Sequence, residues 1–139
     1  MNLFFDTNIL MDIVFERPFC LNEEIKILQL AFKEQLKIAV SSLSIVNTVY
    51  VAKKYGKTDN DVKTALDALT KHIKVLDMRG QDVIFMLSNG WKDYEDGLQY
   101  LCACNYKADF IITRNKNDFK LSSIEVVTPQ EFLDMVSTD

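Results

Sequence analysis

Asn2-Leu3-Phe4-Phe5-Asp6-Thr7-Asn8-Ile9-Leu10-Met11-Asp12-Ile13-Val14 changes its periodicity within one residue. Leu3 to Phe5 is a short unbroken apolar run, the pattern of a strand buried on both faces. Asp6 or Thr7 can cap the helix that follows, which carries Ile9, Leu10, Ile13 and Val14 at helical spacing. Pro18 closes that segment. A strand feeding directly into a helix is how a parallel sheet begins, because a parallel neighbour is reached only through a crossover.

The same alternation continues along the chain. Leu21 to about Gln35 reads as a helix with Ile25, Leu28, Leu30, Ala31 and Phe32 among charged residues. Lys37-Ile38-Ala39-Val40 is a second strand, and Ser41-Ser42 supply caps. The next helix has Ile45, Val46, Val49, Tyr50 and Val51 as its apolar set and closes at Lys53-Lys54-Tyr55-Gly56. Thr58-Asp59-Asn60-Asp61 opens another, apolar at Val62, Ala65, Leu66 and Leu69. Ile73 to Leu76 is a third strand, and helices over Gln81 to about Asn89 and Asp93 to Asn105 follow. Asp109 to Ile112 and Ile124 to Val127 are the fourth and fifth strands. Thr128 caps a last helix with Pro129 in its first turn, running through Met135. The expectation is an α/β fold, three layers α/β/α around a central parallel sheet of four to five strands, in one domain over residues 1–139.

Composition narrows the function classes. The 139 residues include only 4 Gly and 2 Pro, too few turn formers for an all-β sandwich or barrel. Sixteen basic against 20 acidic residues leave a net charge of -4, without the basic footprint of a nucleic-acid coat protein. Acidic clusters that await a metal depress net charge in the same way, so an enzyme working through a bound cation remains open. Three cysteines (Cys20, Cys102 and Cys104) show no zinc spacing and read as thiols in a reducing compartment. The expectation is a cytoplasmic protein with no membrane association, as no apolar run approaches a spanning length. His72 is the only histidine, which removes Ser–His–Asp, Cys–His and zinc-hydrolase devices. No Gly-rich phosphate loop is present.

Chemistry gathers instead around acids. Asp6 follows the first strand directly. Asp93 and Asp96 open the helix before the fourth strand, three residues apart and so on one helix face. Thr113-Arg114-Asn115-Lys116-Asn117-Asp118 follows that fourth strand. Taken singly, Asp6 and Asp93 are N-caps and Asn115 to Asp118 is a turn. Taken together, two of the three pieces lie at carboxyl ends of strands, where parallel sheets bind ligands, and Asp93 and Asp96 can point the same way. Carboxylates crowded there repel, and a hard divalent cation relieves them. Such an ion suits in-line displacement at a phosphodiester. Arg114, Lys116 and Lys120 flank the acids and can reach substrate phosphates or serve as ordinary solvated surface. Lys53, Lys54 and Lys57 form the densest basic cluster and read as a solvated helix end. Trp91 and Tyr94 can stack on a base, but packing is the plainer role.

Phe4-Phe5-Asp6-Thr7-Asn8, Asp93-Tyr94-Glu95-Asp96 and Thr113-Arg114-Asn115-Lys116-Asn117-Asp118-Phe119, in that order, resemble the three signature blocks of PIN domains. The closing Val127-Thr128-Pro129-Gln130-Glu131-Phe132-Leu133 fits as well, so the resemblance spans nearly the whole chain. It implies a Mg²⁺- or Mn²⁺-dependent ribonuclease, of VapC toxin type, with a cognate antitoxin and a homodimeric assembly. By the same resemblance Asp6, Asp96 and Asp118 are the metal carboxylates and Asp93 stands beside them. Asn115 and Thr113 lie at the strand end, and Asn8 supports the acidic network. One departure stands out: Asn47 occupies the position where the family places a Glu after the second strand, and Asn115 stands where relatives often carry Asp. The alternatives are a PIN-like domain that binds RNA or a partner protein without cutting, and, last, a carboxylate-based phosphatase.

Overall fold

A computed structural model describes residues 1–137 and resolves this pattern into strands β1 (Asn2–Phe5), β2 (Lys37–Ser41), β3 (Lys74–Leu76), β4 (Phe110–Ile112) and β5 (Glu125–Val127). They form one sheet in the order β3-β2-β1-β4-β5 with every pairing parallel. β1 is central: Leu3 lies opposite Ile38 on one side and Phe110 on the other. The chain winds outward from β1 through β2 to β3, then returns to lay β4 on the opposite flank. The switch point of the sheet is therefore between β1 and β4, where a crevice opens beyond the strand ends.

The helices are α1 (Thr7–Phe15), α2 (Leu21–Phe32), α3 (Ser42–Tyr50), α4 (Asp59–Leu69), α5 (Gly80–Met86), α6 (Tyr94–Tyr106) and α7 (Pro129–Ser137). Alternate residues of β1 face opposite layers, as the two-residue strand period requires. Leu3 and Phe5 pack with Ile38, Val40, Ile112, Val127 and the inner faces of α1, α2, α4 and α7. Phe4 and Ile111 pack with Cys102, Ala103 and Phe119 beneath α6. Both faces are covered, so the arrangement is α/β/α. No helix among the described residues is long and apolar enough to cross a membrane.

Local differences from the sequence reading have identifiable causes. α1 stops before Pro18, because Glu16 turns into the left-handed region (φ 54°) and the chain reverses there. α3 ends at Tyr50. Lys53 and Lys54 belong to a separate 3₁₀ turn, Ala52–Tyr55, closed by Gly56 at φ 70°, a conformation glycine adopts without strain. The expected apolar set of α3 is split: Ile45 and Val49 pack partly buried against the core, Val46 and Tyr50 are 63% and 86% exposed, and Ser44 and Thr48 are buried. The buried polar face is satisfied by Ser41, the α3 N-cap, and by hydroxyl and amide partners from α1 and α6. α5 ends at Met86, three residues early. α7 begins with a reciprocal capping box: Glu131 N–H donates to Thr128 Oγ1, and Thr128 N–H donates to a Glu131 carboxylate oxygen.

Candidate active site

Phe5 and Ile112 are paired neighbours, so Asp6 and Thr113 emerge side by side at the carboxyl ends of β1 and β4. The ladder runs on into both: Asp6 N–H donates to Ile112 O at 3.0 Å, and Thr113 N–H donates to Val127 O at 3.0 Å. Asp6 is the α1 N-cap. One of its oxygens accepts from Thr7 N–H at 2.8 Å, and the other accepts from the Thr113 hydroxyl at 2.8 Å. Those two donors favour the carboxylate. Burial outweighs them and, with Asp118 and Glu95 nearby, lifts Asp6 to about 6.

α6 supplies the second group. Asp93 is its N-cap, accepting from Asp96 N–H at 2.9 Å, so the first turn presents Asp93, Glu95 and Asp96 together. Asp96 is lifted to about 7, first by burial and then by Asp93, Asp6, Asp118 and Glu95. A polar knot fixes α1, α3 and α6 at this end of the sheet. The Thr7 and Ser44 hydroxyls lie 2.6 Å apart, and the Gln99 amide donates to both at 3.0 and 3.1 Å. The helix N-termini brought together here favour negative charge.

Asp6, Asn8, Asp93, Asp96, Arg114 and Asp118 line one open cavity of 390 Å³. A neighbouring depression continues past Asp93, Asp96 and Asp118 to Trp91, Lys92 and Lys120. Trp91 is engaged in packing, with its ring against Tyr100 and Phe119. Thr113 lies buried under Asp6, and Asn8 reaches its hydroxyl only at 3.5 Å. Asn115 and Lys116 are absent from the Asp6 cavity. Asn115 uses its backbone N–H to hold Thr113, and Lys116 pairs with Glu131 at 3.1 Å.

Two charged residues to which the sequence assigned no role in the site line the cavity, Glu95 and Arg17. Asn47 explains the first. Its amide donates to Glu95 Oε1 at 2.9 Å, so α3 contributes an anchor at this position while α6 contributes the charge. The only sequence signal was the place of Glu95 between Asp93 and Asp96. No spacing rule pointed to Arg17.

None of Asp6, Asp93, Glu95, Asp96 or Asp118 is in an ion pair among the described residues. Nor are three metal-ligating side chains gathered there into a ready-made cage. The donor chemistry still fits a hard cation, because no ion pair neutralises the rim carboxylates: Arg17 and Arg114 line the same cavity but pair with Asp12. Mg²⁺ commonly takes only one or two carboxylates and completes its shell with water and substrate oxygens, so an open acidic rim suits it.

A family model described as PIN domain matches residues 2–117. No curated protein matches the chain at a significant level. Among solved structures, VapBC2 from Rickettsia felis bound to a DNA fragment from its promoter is similar at TM-score 0.68 and 19% identity, covering 92% of this chain and 98% of that one. A toxin–antitoxin complex from Klebsiella pneumoniae is similar at TM-score 0.65 and 26% identity, covering 91% and 97%. VapBC-1 from nontypeable Haemophilus influenzae gives 0.64 and 16%, covering 94% and 99%.

Proposed function

This chain belongs to the PIN domain family, and we propose that it is a toxin-type, metal-dependent endoribonuclease with RNA as substrate, a cognate antitoxin as partner and a second copy of itself in the working assembly. The observation that carries the reading is the unpaired carboxylate rim at the β1–β4 switch point. The likeness to toxin–antitoxin complexes supports the antitoxin.

Asp6, Asp96 and Asp118 would hold Mg²⁺ or Mn²⁺, with Asp93 and Glu95 adding charge beside them. When bound, the ion supplies Lewis acidity to a phosphodiester and acidifies water. The chain's own groups set the stage. Thr113 and the Thr7 amide fix both oxygens of Asp6 and hold its orientation. Asp93 fixes the first turn of α6 and with it Asp96. Asn47 steers Glu95 toward the rim. Arg114, at the cavity edge, can meet a substrate phosphate.

The test is cleavage of single-stranded and structured RNA with Mn²⁺ or EDTA, by the wild type and Asp6→Asn. Asn can still cap α1, so a folded but inactive variant is expected. Equal activity of the two proteins, or cleavage in EDTA, would refute the assignment. A second reading rests on the absence of a ready-made cage among the described residues: a PIN-like module that binds RNA or protein without cutting. Calorimetry separates the two, since absence of Mn²⁺ binding at millimolar concentrations favours the module.

A further inference from the structure

We propose that Arg17 and Arg114 form a clamp for a backbone phosphate of single-stranded RNA beside the acidic rim, set in place by the buried Asp12. The inference deepens the nuclease reading and rests on it for the identity of the strand.

Asp12, on α1, is fully buried and serves both guanidiniums at once. Its Oδ1 accepts from Arg17 Nε at 2.7 Å, and its Oδ2 accepts from Arg114 Nε at 2.7 Å. Arg17 is further locked by bonds from Nη1 to the Tyr55 hydroxyl at 2.8 Å and from Nη2 to Asn8 O at 3.0 Å. Arg114 adds one longer bond, Nη2 to Asp12 Oδ1 at 3.2 Å, and its Nη1 has no hydrogen bond among the described residues. Both guanidiniums lie over the Phe19 ring, Arg114 at 4.4 Å and Arg17 at 5.8 Å from its centroid. The two side chains are 14% and 21% exposed, so their positions are set by packing while their outer edges reach the cavity.

Glu24 lies fully buried beside this cluster, and neither of its oxygens has a hydrogen-bond partner among the described residues. Burial first, and then its neighbour Asp12, raise its carboxyl well above the usual carboxylate range, which favours the neutral form. The cluster thus carries two guanidiniums against one carboxylate, a net positive charge beside an acidic rim. Untethered, two arginines lining the same cavity would be drawn to Asp6, Asp96 and Asp118 and compete with a cation. No such ion pair forms among the described residues. Asp12 keeps its hold on the inner Nε edges and leaves positive donors for an anion that arrives with the ion's substrate.

The test is fluorescence anisotropy with a labelled single-stranded RNA oligonucleotide in EDTA, across a salt series, for wild type, Arg17→Gln, Arg114→Gln and Arg114→Lys. Each Gln variant is expected to weaken binding about tenfold and to flatten the log K against log salt slope by about 0.7. Arg114→Lys keeps the charge and guards against misfolding of the neutral variants: it should bind more weakly than wild type yet retain the wild-type salt slope. Wild-type affinity and slope in both Gln variants would overturn the clamp, and so would absence of RNA binding by the wild type. The first of those results also follows if the arginines serve an acidic protein partner. Cleavage of the same RNA with Mn²⁺ reads the nuclease proposal separately: binding that depends on both arginines without cleavage leaves the clamp and removes the nuclease.

Discussion

At the scale of single residues, Asp6 and Asp96 hold their protons more tightly in the folded chain than in the unfolded one, where aspartate titrates near 3.8. The sign follows from linkage: between that value and about 7 the native state binds more protons, so stability falls as pH rises through this window. Glu24 adds to the same trend. Metal-free protein is therefore expected to melt at a higher temperature near pH ~5.5 than near pH ~8. Asp96→Asn removes one of these penalties. It should raise the melting temperature at the higher pH and leave it unchanged near pH ~4, where wild-type Asp96 is already neutral. A thermal melt series in EDTA checks both statements. For the more deeply buried Asp6 the corresponding penalty reaches at most about 3 kcal/mol, because burial lifts it from 3.8 to about 6. Added Mn²⁺ should reverse the trend, because an ion that binds only the native state stabilises it in proportion to ln(1 + [L]/Kd).

At the scale of elements, charge at the site depends on how α3 and α6 meet. Asn47 donates to Glu95 across that junction, so the negative charge is delivered from the α6 first turn. Asn47→Glu places two carboxylates against each other without a cation between them and should lower the melting temperature in EDTA. Asn47→Glu combined with Glu95→Gln exchanges donor and acceptor across the same contact. It should regain most of the lost stability and retain Mn²⁺ binding, with a coupling of about 1 kcal/mol or more. Calorimetry and melts of the two single variants and the double complete the cycle; strictly additive effects would show that the contact does not shape the site. A Cβ on Gly97 would lie 2.5 Å from Met86 Sδ and 3.0 Å from Trp91 Cβ, so a larger residue beside Asp96 requires the flexible end of Met86 to move aside.

At the scale of the whole molecule, the C-terminal pieces beyond the matched residues 2–117 complete the site's foundation. β5 receives the Thr113 N–H through Val127 O, and α7 closes the layer over α2 with fully buried Phe132 against the Phe110 ring. Phe132→Ala is expected to cost about 3–5 kcal/mol, read as a lower urea midpoint, and to reduce Mn²⁺ affinity only as far as the folded fraction falls. The amino-acid sequence by itself determined the order of strands and helices and the parallel sheet, because periodicity, caps and the shortage of turn formers act locally. It also placed Asp6, Asp93, Asp96 and Asp118 at element ends, where an α/β topology gathers them. Tertiary structure alone decided that α3 buries Ser44 and Thr48 and exposes Val46 and Tyr50. It also decided that Glu95 carries the charge Asn47 lacks, and that Asp12 holds two arginines at the rim. Such assignments depend on which polar groups find partners once several elements meet. No pattern within one element records that, since an unpaired buried group is costly only after its neighbours have closed around it.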